Sequence, residues 1–215
     1  MQTLTSTTPE FDFNTWGQSL IAQYRDLVVA ATPEQLTLDE FLHQVERELR
    51  TGLSASDIDM IACDAGCGAC CRVNVATLMP EAHNIDVYLR RTRTEGELEQ
   101  LCTKMRRSLV VVNGLDDDER IATNQPCVFL DEHGSCSIYP VRPLLCRSIT
   151  STCAEACRAA LCWNMFEEPG AVVMNLFQKD LMDTAFTSLA QLWHESGGDG
   201  RSRELTTALY PLLQG

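Results

Sequence analysis

The 215-residue chain is 45% hydrophobic and 22% charged, the balance of a globular protein, and its length suits one domain without demanding two. A formal net charge of -13, with acidic residues spread along the whole chain, would repel phosphate backbones and argues against nucleic-acid binding. Residues 1–14 carry neither the basic start nor the apolar run of a signal peptide, and no stretch is long enough to span a membrane, so the expectation is a cytoplasmic protein with no membrane contact.

In chain order, Trp16, Leu20, Ile21, Tyr24, Leu27 and Val28 repeat at three-and-four spacing and predict a first helix over 13–31. Leu38, Phe41, Leu42, Val45 and Leu49 predict a second, with Gly52 as its stop. A short third helix from Ser56 leads into Cys63. Residues 73–78 alternate weakly and end at Pro80, which suits the first turn of a helix to about Arg91. Another helix fits 97–112, and the acidic run 116–119 starts a short helix or forms a solvated turn. Basic residues at Arg90, Arg91, Arg93, Lys104, Arg106 and Arg107 are interrupted by Glu95, Glu97 and Glu99, the pattern of a mixed-charge surface.

Between Cys127 and Tyr139 two β-prone runs are joined by five residues that include Gly134, and they predict a hairpin. Pro140 and Pro143 then bracket a turn or short helix that carries Leu144, Leu145 and Cys146. Helices are predicted over 152–163, over 173–194 with glycines 197, 198 and 200 behind it, and over 203–213. The fold expected is mostly α: a single helical domain with a small β-hairpin around a cysteine-ligated metal centre. Its core spans 62–157, between N-terminal helices (13–61) and C-terminal helices (172–214).

Eleven cysteines are the unusual number, and because it is odd they cannot all pair within one chain. In a reducing compartment clustered thiols more often mean metal or redox chemistry than disulfides. Cys63, Cys67, Cys70 and Cys71 lie at separations of four, three and one, and a helical turn would bring the first three together. Gly66 and Gly68 let the backbone wrap closely around an ion or cluster. Cys127, Cys136 and Cys146 supply thiols from a second segment. Cys153, Cys157 and Cys162 form a third group, of which Cys153 and Cys157 either complete a second site or pack in the core. Cys102 is read as structural, and His83 as surface or an outer ligand. The spacing 63–67–70 also matches radical S-adenosylmethionine enzymes, but Ala69 stands where those carry an aromatic, and no barrel-building repeat follows.

The run Cys63 to Cys71 combines with Pro126-Cys127-Val-Phe-Leu and with Gly134-Ser-Cys136-Ser-Ile-Tyr139-Pro140-Val-Arg142-Pro143-Leu-Leu-Cys146-Arg147. Together they resemble the YkgJ-type cysteine-cluster proteins, a zinc- or iron-chelating family that includes the flagellin lysine N-methylases and, through them, an iron-sulphur cluster. The resemblance covers about 62–157. It implies Cys63, Cys67, Cys70, Cys71, Cys127, Cys136 and Cys146 as ligands, framed by Arg142, Pro143 and Arg147. The methylases are longer, with segments that have no counterpart here.

Seven thiolates exceed the four that one tetrahedral zinc or one four-iron cluster takes, so there are two centres or some thiols are not ligands. Adjacent Cys70 and Cys71 point to different faces and serve two centres, or one of them packs. All-sulphur donors select zinc or iron-sulphur, and the resemblance favours an iron-sulphur cluster of the 4Fe-4S kind. Arg72, Arg142 and Arg147 are placed to offset thiolate charge. Three functions follow: an iron-sulphur protein with a redox or electron-transfer role, a zinc-stabilised structural or interaction module, or a methylase-like enzyme acting on protein lysine. The pattern fits an enzyme and a non-catalytic binding protein alike, and it is compatible with a protein partner.

Overall fold

The computed structural model describes residues 11–30, 37–161 and 171–214, so Cys162 lies outside the described residues. Ten helices are described: α1 (Phe13–Ala30), α2 (Asp39–Gly52), α3 (Ala55–Met60), α4 (Met79–Thr92), α5 (Glu95–Val112), α6 (Asp117–Ala122), α7 (Leu144–Ser148), α8 (Ala154–Leu161), α9 (Leu176–Glu195) and α10 (Leu205–Leu213). The mostly helical reading holds.

Local chemistry explains the starts. Ser54, Thr94 and Asp116 each accept from a backbone N–H three residues on, and Asp57, Glu97 and Glu119 reach back, so α3, α5 and α6 open on reciprocal caps. The acidic run at 116–119 is thus a cap and first turn. Asn175 caps α9 through Gln178 N, which moves the start of that helix to Leu176, and the residues at 171–175 belong to no helix, with Thr152 N donating to Val173 O. The second helix ends at Gly52 as expected, with Leu53 as its extended C-cap, and the missing Cβ of Gly52 makes room for the Phe177 ring from α9.

α1 lies along α9 with α2 packed against both, burying Leu20, Tyr24, Phe41, Leu181, Met182 and Leu189. A second apolar core lies where α10 meets α4 and α5, and takes in Ile85, Leu89, Met105, Val128, Phe129, Ile138 and Leu209.

The sheet is not where the alternation pointed. The weak pattern at 73–78 does contain a strand, β1 (Ala76–Thr77), but it pairs antiparallel with β2 (Arg203–Glu204), at the foot of α10. Chain reversal at 127–139 does occur, held by a single bridge, Leu130 with Cys136, and by Asp131, whose side chain accepts from His133 N and Ser135 N. Two strands do not form there because Val128 and Phe129 are both buried in the second core, which breaks in–out alternation, and Cys127 N is spent on Cys71 O.

Candidate metal centre

Two backbone links place the first cysteine loop. After α3, Ala62 N donates to Ser151 O at 2.8 Å, and Cys127 N donates to Cys71 O at 2.7 Å, so the loop lies between the segment after α7 and the 127–136 reversal. Within it, Cys67 N to Asp64 O and Cys71 N to Gly68 O are tight turns. The expected helical turn is absent, because Gly66 and Gly68 sit at φ 87° and 52°. Those conformations allow a crossing: a Cβ on Gly134 would lie 2.5 Å from Gly66 O, and one on Gly68 would lie 3.0 Å from Gly134 O.

Cys146 is held from three helices. The Glu81 carboxylate accepts from Leu144 N at 2.7 Å and from Leu78 N at 2.9 Å, tying the start of α7 to the start of α4. Arg147 donates to Glu46 on α2 at 2.6 Å and to the Pro140 and Arg142 carbonyls, and Gln178 on α9 donates to Arg147 O. Glu81 is buried, and desolvation lifts its carboxyl to about 7 despite the two N–H groups and the nearby Arg147 charge.

Cys70, Cys71, Cys127, Cys136 and Cys146 line one small cavity of about 60 Å³. Its other walls are apolar, including Val73, Val75, Phe129 and Ile138, with Arg120, Arg142 and Glu204 at the edge. A more open cavity of about 260 Å³ on the other side is lined by Cys63, Cys67, Cys70, Cys71, Cys136 and Cys146. The seven family-pattern thiols are therefore gathered at two adjoining cavities that share four of them. Cys157 is buried within electrostatic reach of Cys63. Cys153 is exposed, turned toward Glu155, and lines neither cavity. Cys102 packs beside Leu213 O on α5, and His83 lies by the Trp193 ring.

The thiols are unequal. A hydrogen bond from the Cys71 thiol brings Cys70 down to about 7, with the nearby Arg142 charge also favouring its thiolate, while the same bond and burial hold Cys71 protonated. Burial raises Cys127 to about 11 and lifts Cys136 and Cys146 as well. Most of the donors are thus neutral at pH 7, and taking a soft metal means losing protons.

The donor chemistry fits such a metal, with two qualifications of geometry. Among the described residues no three His, Cys, Asp or Glu side chains already converge closely enough to hold an ion, so binding requires the thiols to draw in. No histidine lines either cavity among the described residues. In the wall of the small cavity the Nε–H groups of Arg120 and Arg142 are buried without a partner, which suits an anionic centre whose sulphurs accept hydrogen bonds. Of the three arginines expected to offset charge, Arg142 does stand beside Cys70, Cys136 and Cys146. Arg147 lies near Cys136 but has its donors engaged elsewhere. Arg72 is half-buried and bonded to Asn124 O and Oδ1. Arg120, Glu204 and Glu81 were not foreseen, since in sequence they read as ordinary charged helix residues.

Among the described residues no helix is long and apolar enough to cross a membrane. Residues 62–168 match the family model CxxCxxCC, "Putative zinc- or iron-chelating domain". No curated protein and no solved structure matches the chain.

Proposed function

Because the chain carries, over residues 62–168, a domain of the CxxCxxCC zinc- or iron-chelating family, we propose that it folds as a single domain around a thiolate-bound iron-sulphur centre with a redox role. The observation that carries this reading is the small cavity, where five thiols from three chain segments face two unpartnered guanidinium N–H groups and apolar walls. Five sulphurs are one more than either a zinc or a four-iron cluster takes, so the choice of a cluster rests on the groups around them. Cluster sulphides accept hydrogen bonds, and a dry wall with N–H donors is the environment that tunes a cluster's potential.

The cluster would draw its ligands from Cys70, Cys71, Cys127, Cys136 and Cys146, of which Cys127 lines only the small cavity and the other four line both, with Cys63 and Cys67 on the open side. Such a group would supply one-electron exchange. The protein's own residues exclude water through Val73, Val75 and Phe129, and balance the charge through Arg120 and Arg142. The setting would be cytoplasmic, where thiols stay reduced.

Elemental analysis with an absorption spectrum, on protein purified without oxygen, tests it. Two or more irons with matching acid-labile sulphide and a brown colour are expected. Stoichiometric zinc without colour would overturn the iron-sulphur reading in favour of a zinc-stabilised module.

A further inference from the structure

A third cavity, of about 310 Å³, adjoins the thiols. Cys63, Asp64, Tyr139, Arg142 and Ile149 are walls common to it and to the open thiol cavity. Its charged lining is three arginines, Arg50, Arg142 and Arg147, against two carboxylates, Glu46 and Asp64, in a chain whose formal charge is -13. The commitments of these groups differ. Arg147 and Glu46 satisfy each other at 2.6 Å. Arg142 lies 4.3 Å over the Tyr139 ring, and among the described residues its guanidinium donates no hydrogen bond to the protein. Arg50, at the end of α2, is exposed with no ion pair among the described residues.

A guanidinium carries five donors in a flat fork that matches the two oxygens of a carboxylate or phosphate. Stacking on Tyr139 fixes the plane of that fork before any ligand arrives, which lowers the ordering cost of binding. Leu49, Ile61, Ile149 and Met182 supply an apolar floor. The volume is at the small end of ligand cavities, which run from roughly 300 Å³ upward.

We propose that this chamber binds a small oxyanion, the carboxylate or phosphate of a molecule with a short aliphatic body, through Arg142 with Arg50 at the rim. It would thereby place that molecule beside Cys63 and the thiol centre. As a substrate chamber it rests on the metal reading, but as an oxyanion site it stands without it.

Metal-free and metal-loaded protein, each titrated with inorganic phosphate and with acetate by calorimetry, test this. Saturable one-to-one binding of at least one probe is expected. Arg142→Gln should weaken it about tenfold or more and Arg142→Lys several-fold, since a lysine has no fork. Arg50→Gln should weaken it by a smaller factor, and Arg158→Gln on α8 should leave it unchanged. Binding of acetate alone or phosphate alone names the headgroup. No saturable binding of either probe overturns the proposal, as does unchanged binding in a folded Arg142→Gln. If that variant fails to fold, unchanged binding in Arg50→Gln overturns it. Metal uptake without probe binding leaves the metal reading standing, and probe binding without metal uptake sinks only the metal reading.

Discussion

Where α1, α2 and α9 meet, Leu20, Phe41 and Leu181 are almost completely buried, whereas the loops at 62–75 and 127–136 meet through backbone groups, with Cys127 N on Cys71 O and Gly134 against Gly66. The first region is held by apolar area, each such side chain worth roughly 1.5–3 kcal/mol on burial. Apart from Val128 and Phe129, which turn into the second core, the second is made of small residues, tight turns and thiols that carry little apolar area of their own. The contrast implies a frame that forms without metal and a crossing that is finished by what its thiols bind.

The largest effect expected on the frame is from Leu181→Ala, which should cost about 3–5 kcal/mol in urea unfolding while leaving metal per folded chain unchanged. Loss of metal in step with stability would erase the distinction between the regions. Glu81 links them, and its sign is definite. Its folded carboxyl, near 7 against an ordinary 4.5, keeps its proton where the unfolded chain has lost it, so stability falls as pH rises from about 4.5 to 7. That loss should be roughly 1–3 kcal/mol in thermal or urea unfolding of metal-free protein, and Glu81→Gln should flatten it.

Gly134→Ala should cost about 1–2 kcal/mol, from a left-handed backbone at φ 76° and the approach to Gly66 O. It should lower metal content more than it lowers frame stability. A variant with full metal content would show that the crossing does not shape the centre. Loading metal at pH 7 should release close to one proton for each of Cys71, Cys127 and Cys146 that ligates, measurable with a pH indicator, and Cys146→Ser should remove about one of them. The smallest effect expected is from Cys153→Ser, within about 0.5 kcal/mol in unfolding and with no change in bound metal. Lost metal there would extend the centre to α8.

Amphipathic spacing made most helices legible, because a buried stripe repeats with the helix itself and needs no knowledge of a partner, as at Trp16, Leu20 and Tyr24. The hairpin strands at 127–139 were misread for the converse reason. Val128 and Phe129 look β-prone, but both face a core made by α4, α5 and α10, which no local pattern shows. β1 finds its partner only at Arg203 and Glu204, far along the chain.

The sequence by itself determined the helical character and the thiol-rich identity of the segment from Cys63 to Cys146, since these depend on residue type and short spacing. Only the tertiary structure decided that the thiols gather at an enclosed and an open cavity that share four of them, that Cys153 faces away, and that Arg120 and Arg142 bring unpartnered N–H groups to the same wall. The reason is physical: desolvation and charge proximity arise from segments brought together by packing, and each segment read alone is a solvated stretch of chain.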